Sequence, residues 1–291
     1  MSSRRLRAAW CRLTMWIALA AVPASAAAPI DVPGLEGPFA GGNFVVDCGF
    51  THRLGDDPIV SPGAPGVAHD HSFFGNETTD AFSTPSTLVA GPTLCHRRQD
   101  RSAYWVPTML LNGRPVMPLG AAVYYRRGTF ADVEVPPNGL RMIAGDQRAT
   151  APQVAEHVFW NCEALGESTT EVPVCPEDPR YSLRLHVDFP ECWDGVNLDS
   201  PDHVSHVAYA TTGECPASHP VPIPSLRLVV RFPVAGVQRL ALSSGSIYSG
   251  HADVIVAWRG KQLKRLVRRC LNGRHQCSRK DDGPPVRVLV P

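Results

Sequence analysis

Past its first two dozen residues, the 291-residue chain has no apolar run near the roughly twenty residues that cross a bilayer. Stable membrane insertion is therefore not expected once a leader is removed. There is no C-x-x-C pair, so a zinc ribbon or a thioredoxin-like redox site lacks its ligands. Also missing are H-E-x-x-H, G-x-S-x-G, a phosphate-cradling glycine loop and G-x-G-x-x-G. Those absences set aside the familiar zinc-protease, serine-hydrolase, NTPase and dinucleotide-enzyme signatures. No Ser/Gly linker, charge block or internal repeat divides the chain, which favours a single domain.

What is present begins with the compartment. Arg4, Arg5, Arg7 and Arg12 precede the apolar run Leu13–Val22, and Ala24-Ser25-Ala26 supplies a small-x-small site. Residues 1–26 thus read as a signal peptide cleaved near Ala26, predicting a secreted protein. Four of the 28 Lys and Arg lie in this leader, leaving 24 against 27 Asp and Glu. That slight acidity argues against nucleic acid as a partner. Of nine cysteines, Cys11 is in the leader, and Cys48, Cys95, Cys162, Cys175, Cys192, Cys215, Cys270 and Cys277 remain. An even set in an exported chain reads as disulfides, although eight cysteines allow about 105 pairings. Loop length alone suggests Cys48 with Cys95, Cys162 with Cys175, Cys192 with Cys215 and Cys270 with Cys277.

With 28 prolines and 24 glycines, short strands joined by loops are favoured over long helices. Residues 27–42 read as a flexible lead-in, 43–278 as one domain, and 279–291 as a tail. Strands are expected at Asn43–Val46, Ala103–Leu111, Ala121–Arg126, Leu140–Ala144, Leu183–Asp188, Val204–Tyr209, Leu226–Phe232 and Val286–Val290. Asn112-Gly113 marks a hairpin turn. Apolar residues from His251 to Leu271 recur at helical spacing, with Gly260 as a weak point and Asn272-Gly273 as a stop. Its cluster of Lys261, Lys264, Arg265, Arg268 and Arg269 reads chiefly as a solvated face. The fold class expected is mainly β, sandwich-like or α+β, with a C-terminal helix and disulfide stabilisation.

Polar chemistry gathers in a few stretches. In "AHDHSFFGN" (68–76), His69 and His71 share a face if the segment is extended. "CWDGVNLDSPDHVSHVAY" (192–209) holds Trp193, Asp194, Asp199, Asp202, His203 and His206; "CPASHPVPIP" places His219; "HADVIVAW" offers His251 and Asp253. Tyr104 and Trp105 stand in "SAYWVPTM" as aromatic surface, with Asn76 opening a glycosylation sequon. His52, His96, His157, His186 and His275 show no pairing pattern.

In this order, over roughly residues 56–270, these motifs resemble a family of secreted proteins abundant in fungi, the domain of unknown function nineteen-ninety-six. Some of its members carry wall-polysaccharide-binding WSC modules, which this chain lacks. The resemblance carries the family's polar pattern onto His69, His71, Asn76, Trp193, Asp194, Asp199, His203, His206, His219, His251 and Asp253. Where similar sequences often have Phe and Asn, this chain has Val254 and Val256.

Imidazoles are ordinary ligands for transition metals, and carboxylates complete or orient such sites. The expectation is a site for one divalent metal, zinc or copper, ligated among His69, His71, His203, His206 and His219. Asp194, His251 and Asp253 are the catalytic candidates. Phe73, Asn76, Tyr104, Trp105 and Trp193 are the substrate-binding ones, and extracellular or cell-wall polysaccharide is the expected partner. Two alternatives stand beside it. One is a metal-free glycoside hydrolase or lyase, using Asp194, Asp199 and Asp202, or Tyr248 with His251. The other is a non-catalytic carbohydrate-binding or structural wall protein.

Overall fold

The computed structural model describes residues 42–162, 167–178 and 180–277. The expected signal peptide, nearly all of the lead-in, and the tail with its strand Val286–Val290 lie outside these residues. Two large sheets dominate. One has six strands in the order Gln276–Cys277, Asn43–Cys48, Gly120–Arg126, Ser225–Phe232, Leu183–Asp188 and Val158–Asn161. The other has five, all antiparallel: Phe50–Leu54, His71–Gly75, Ala103–Pro107, His251–Ile255 and Arg141–Gly145. Two three-stranded sheets are appended at Met109–Leu111 and Cys192–Trp193. The Asn112-Gly113 turn joins Met109–Leu111 to Arg114–Pro115, both residues having positive φ (51° and 77°), as a type I′ hairpin demands.

The two large sheets share one core, so the single domain is a mainly β sandwich. Strand alternation decides which side chain enters it. Val46, Val123, Tyr125, Leu185 and Leu228 of the first sheet meet Phe74, Tyr104, Val106, Met142, Ala252 and Val254 of the second. Val254 and Val256, at 0% and 1% exposure, are therefore core residues. The other face of the five-stranded sheet packs a second cluster. There Phe73, Ala103, Trp105 and Ile255 lie under Ile59 and under Leu88 of the short helix Pro85–Ala90.

The expected helix over His251–Leu271 is corrected. Its first five residues form a strand, His251–Ile255, paired on both sides with Ala103–Pro107 and Arg141–Gly145. Only Gln262–Leu266 is α-helical, continuing as a π-helical stretch over Val267–Asn272. Gly260, at φ 64°, makes the break between the two. The expected Val204–Tyr209 strand shrinks to Val207–Ala208, and the expected Ala103–Leu111 strand is two strands parted at Thr108. All four disulfides join the cysteines that loop length paired. No helix among the described residues is long and apolar enough to cross a membrane.

Candidate metal centre

Period-two alternation puts His71 and Phe73 on the sheet face turned away from the sandwich core, together with His251 and Asp253 two strands away. The loop preceding His71–Gly75 folds back over that face and adds Asp57 and His69. Asp56 holds the loop in place. Its carboxylate accepts from the Gly66 and Ala81 amides (2.8 and 3.0 Å), and its carbonyl accepts from His71 Nδ1–H (2.9 Å). On the far side of the site, a Cβ on Gly145 would come within 2.5 Å of Gly250 O and 2.9 Å of His251 Cα. Only glycine lets Arg141–Gly145 pair so closely beside His251.

Five ionisable side chains converge. His69, His71 and His251 each offer a ligand atom within 4.8 Å of the others, and so do Asp57, His71 and Asp253. His69 and His71 rings lie 4.1 Å apart, and His69 and His251 rings 5.0 Å. His71 and His251 spend Nδ1–H on backbone carbonyls, Asp56 O (2.9 Å) and Ser249 O (2.8 Å), which leaves each Nε2 with a free lone pair when neutral. His69 Nε2 stands 3.2 Å from His251 Nε2, and Asp253 Oδ2 is 4.0 Å from that same nitrogen.

Burial sets the electrostatics. His71, His251 and Asp253 are 0%, 3% and 1% exposed, while His69 sits at the half-buried mouth. Desolvation drives the His71 pKa well down, helped by the neighbouring imidazoles, and takes His251 to about 4 and His69 in the same direction. It pushes Asp253 well above the usual carboxylate range, reinforced by Asp57, which burial also raises. Three buried polar atoms on this one face, His71 Nε2, Trp105 Nε1 and Asp253 Oδ2, have no hydrogen-bond partner. Buried polar atoms are normally satisfied, so such a cluster points to a missing ligand.

The remaining sequence candidates are distributed as follows. His203 donates Nδ1–H to Asp199 Oδ1 (2.9 Å) and stands near enough to Asp57 for its charge to lower that carboxyl's pKa. His206 bonds Ser200 Oγ (2.9 Å) and Arg141 O (2.6 Å), and His219 bonds Ser218 Oγ (2.9 Å) and Ser205 O (3.0 Å), so both nitrogens of each ring are engaged outside the trio. Asp194 caps its own turn through the Val196 and Asn197 amides, and Trp193 Nε1 donates to Asn197 O (2.6 Å). Phe73, Tyr104 and Trp105 are fully buried and offer no surface to a sugar ring. Phe74, the residue after Phe73, points the other way, into the sandwich core. Asp57 is the residue that sequence reasoning missed; its signal was the "GDDP" turn, with Asp57 twelve residues before His69.

Asn76 is likewise inside. Its Nδ2 donates to Leu88 O and Arg101 O (both 2.9 Å), and its Oδ1 accepts from Thr78 N and Thr78 Oγ1 (both 3.0 Å). Protein from a glycosylating host is therefore expected to show the unmodified mass at this sequon. A natively stable protein bearing a glycan on Asn76 would contradict the placement.

No curated protein and no solved structure matches the chain. A family model does, over residues 57–258, the span that opens on Asp57 and takes in the whole histidine–aspartate cluster. The chain belongs to the family described as Domain of unknown function (DUF1996).

Proposed function

We propose that this is a secreted metalloprotein in which His69, His71 and His251 hold one zinc or copper ion, with Asp253 or Asp57 completing or orienting the set. The observation that carries it is the pair of unsatisfied buried atoms, His71 Nε2 and Asp253 Oδ2, beside the 3.2 Å contact of His69 and His251. A hydrogen bond from His69 to His251 would account for that contact alone. Two nitrogens on one tetrahedral ion, each about 2.0–2.1 Å from it, stand about 3.3–3.4 Å apart, and the ion also gives the other two atoms a partner. Backbone carbonyls that orient both Nδ1 atoms are the usual outer support of histidine ligands. When bound, such an ion can polarise a bond or lower the pKa of a water.

The secreted setting is supported by four disulfides, which persist in oxidising compartments. Extracellular or wall polysaccharide is the substrate class we attach to the site, on the strength of the family resemblance. The metal-free alternatives have less behind them. Asp194 and Asp202 are occupied by turn amides, Asp199 by Arg141 and His203, and Tyr248 by Glu171.

Elemental mass spectrometry on the mature, tag-free protein tests the metal. The wild type should carry close to one ion per chain, and the His69→Ala/His71→Ala variant none. Failure of the wild type to retain zinc or copper after incubation with each would overturn the proposal, as would retention by the variant.

A further inference from the structure

The end of the described chain is built from charge of one sign. Between Arg259 and Cys277 there are seven Lys and Arg and no Asp or Glu, although the chain after its expected leader has 24 such cations against 27 acids. The other 17 cations therefore share the protein with all 27 acids, and the positive charge is segregated here. Every one of the seven is exposed. None makes an ion pair among the described residues.

Their order on the helix explains the segregation. Gln262–Leu266 and Val267–Asn272 turn Leu263, Leu266, Val267, Cys270 and Leu271 into the core. Lys264 with Arg265, and Arg268 with Arg269, fall on the opposite side, where residues three or four apart stand about 5–6 Å from each other. The Cys270–Cys277 disulfide fixes this ledge to the strand beyond it. The field extends to the neighbouring loop. Arg101 is held below its usual range first by burial and then by the like charges of Arg259 and Arg98. Glu77 and Asp100 offset this only in part at Arg101, and like charges crowded together cost stability that a bound polyanion would restore.

We infer that this face binds an acidic polysaccharide, one with a carboxylate or sulfate on its repeating unit. Arginine forks pair with such groups through two parallel hydrogen bonds. Two features favour this partner over other polyanions. The apolar side of the helix is wholly buried, leaving nothing to enter an anionic lipid surface. Trp258, the aromatic next to the patch, is 3% exposed, so its ring cannot stack a nucleic-acid base. The inference shares the polysaccharide setting of the preceding proposal but uses none of its ligands, since the patch begins beyond the end of His251–Ile255 opposite to His251.

The test is binding of the full mature protein to polygalacturonate and dextran sulfate, with neutral dextran, single-stranded DNA and phosphatidylserine vesicles as comparisons. Fluorescence anisotropy or sedimentation over a series of salt concentrations gives the affinities. The acidic glycans should bind, weakening steeply with salt as counterion release requires. Lys264→Glu/Arg265→Glu/Arg268→Glu/Arg269→Glu should lose at least tenfold in affinity. Arg265→Gln/Arg269→Gln, a milder change, should lose a smaller factor with an unchanged unfolding temperature. The His69→Ala/His71→Ala variant should bind as the wild type does. Equal binding of neutral dextran, tighter binding of DNA or vesicles, or full affinity in both patch variants would each overturn the inference.

Discussion

Metal-free protein carrying Asp253→Asn should unfold at a higher temperature than the wild type at neutral pH, while its affinity for zinc or copper falls about 10- to 100-fold. The two effects have one cause. Asp253 is 1% exposed, its Oδ2 has no partner, and burial raises its pKa well above the usual carboxylate range. Below about pH 4 the carboxyl is protonated in both folded and unfolded chains, so it contributes no pH dependence there. As pH rises further, the unfolded chain ionises and the folded one resists. The wild type then loses up to about 1.4 kcal/mol of stability per pH unit until the folded pKa is reached. Asparagine has no such slope, so the stability gap between variant and wild type should widen with pH. A bound dication reverses the sign, because it favours the carboxylate. Denaturant unfolding from pH 4 to 8, with and without a chelator, reads both effects. A variant less stable than metal-free wild type at every pH would refute the account of Asp253 as an ion ligand awaiting its charge.

The second large effect is structural. Removing the bridge between Cys48 and Cys95 by Cys48→Ser/Cys95→Ser should cost about 4 kcal/mol, from the entropy of a loop whose ends are 47 residues apart. In a domain of this size that lowers the unfolding midpoint by roughly 8–16 °C. The bridge anchors Asn43–Cys48 of the six-stranded sheet to the segment that leads into Ala103–Pro107, the strand next to His251–Ile255. Both cysteines are buried (3% and 0% exposed), so serine also leaves hydroxyls in the core. Loss of less than about 1 kcal/mol by calorimetry or urea unfolding would mean that the two sheets are held together by packing alone.

Much of this was legible in the residues, and the rest was hidden for identifiable reasons. The disulfide pairs followed from proximity in sequence, because short loops close at the lowest entropic cost. "HDH" was legible because alternation puts its first and third residues on one face of a strand, whereas "HAD" was read for its polar residues alone, at the start of an expected helix. The strand at His251–Ile255 was missed because it is buried on both faces. Its polar residues, His251 and Asp253, are buried with the apolar ones, and Ile255 and Trp258 happen to lie in line with the apolar residues of the true helix at Leu263, Leu266 and Val267. Burial itself was not legible. Tyr104 and Trp105 suit a sugar platform and a core equally well, and only packing excludes the former: the sandwich core encloses Tyr104, and Ile59 and Leu88 cover Trp105. Asp57 reaches the site through a loop whose path is set by Asp56, and no periodicity encodes such a path.

The alternation in His251–Ile255 has one more consequence, for how this family can change. Ala252 and Val254 serve the core, and His251, Asp253 and Ile255 serve the other face. Substitution can alter one set while sparing the other, so ligands and packing are free to drift separately. Gain or loss of a single residue within the strand has no such freedom. It would carry a histidine and an aspartate into the apolar interior and bring alanine and valine to the ligand positions. Length should therefore be held fixed across Gly250–Val256 even where identity is not, with insertions confined to the loops on either side.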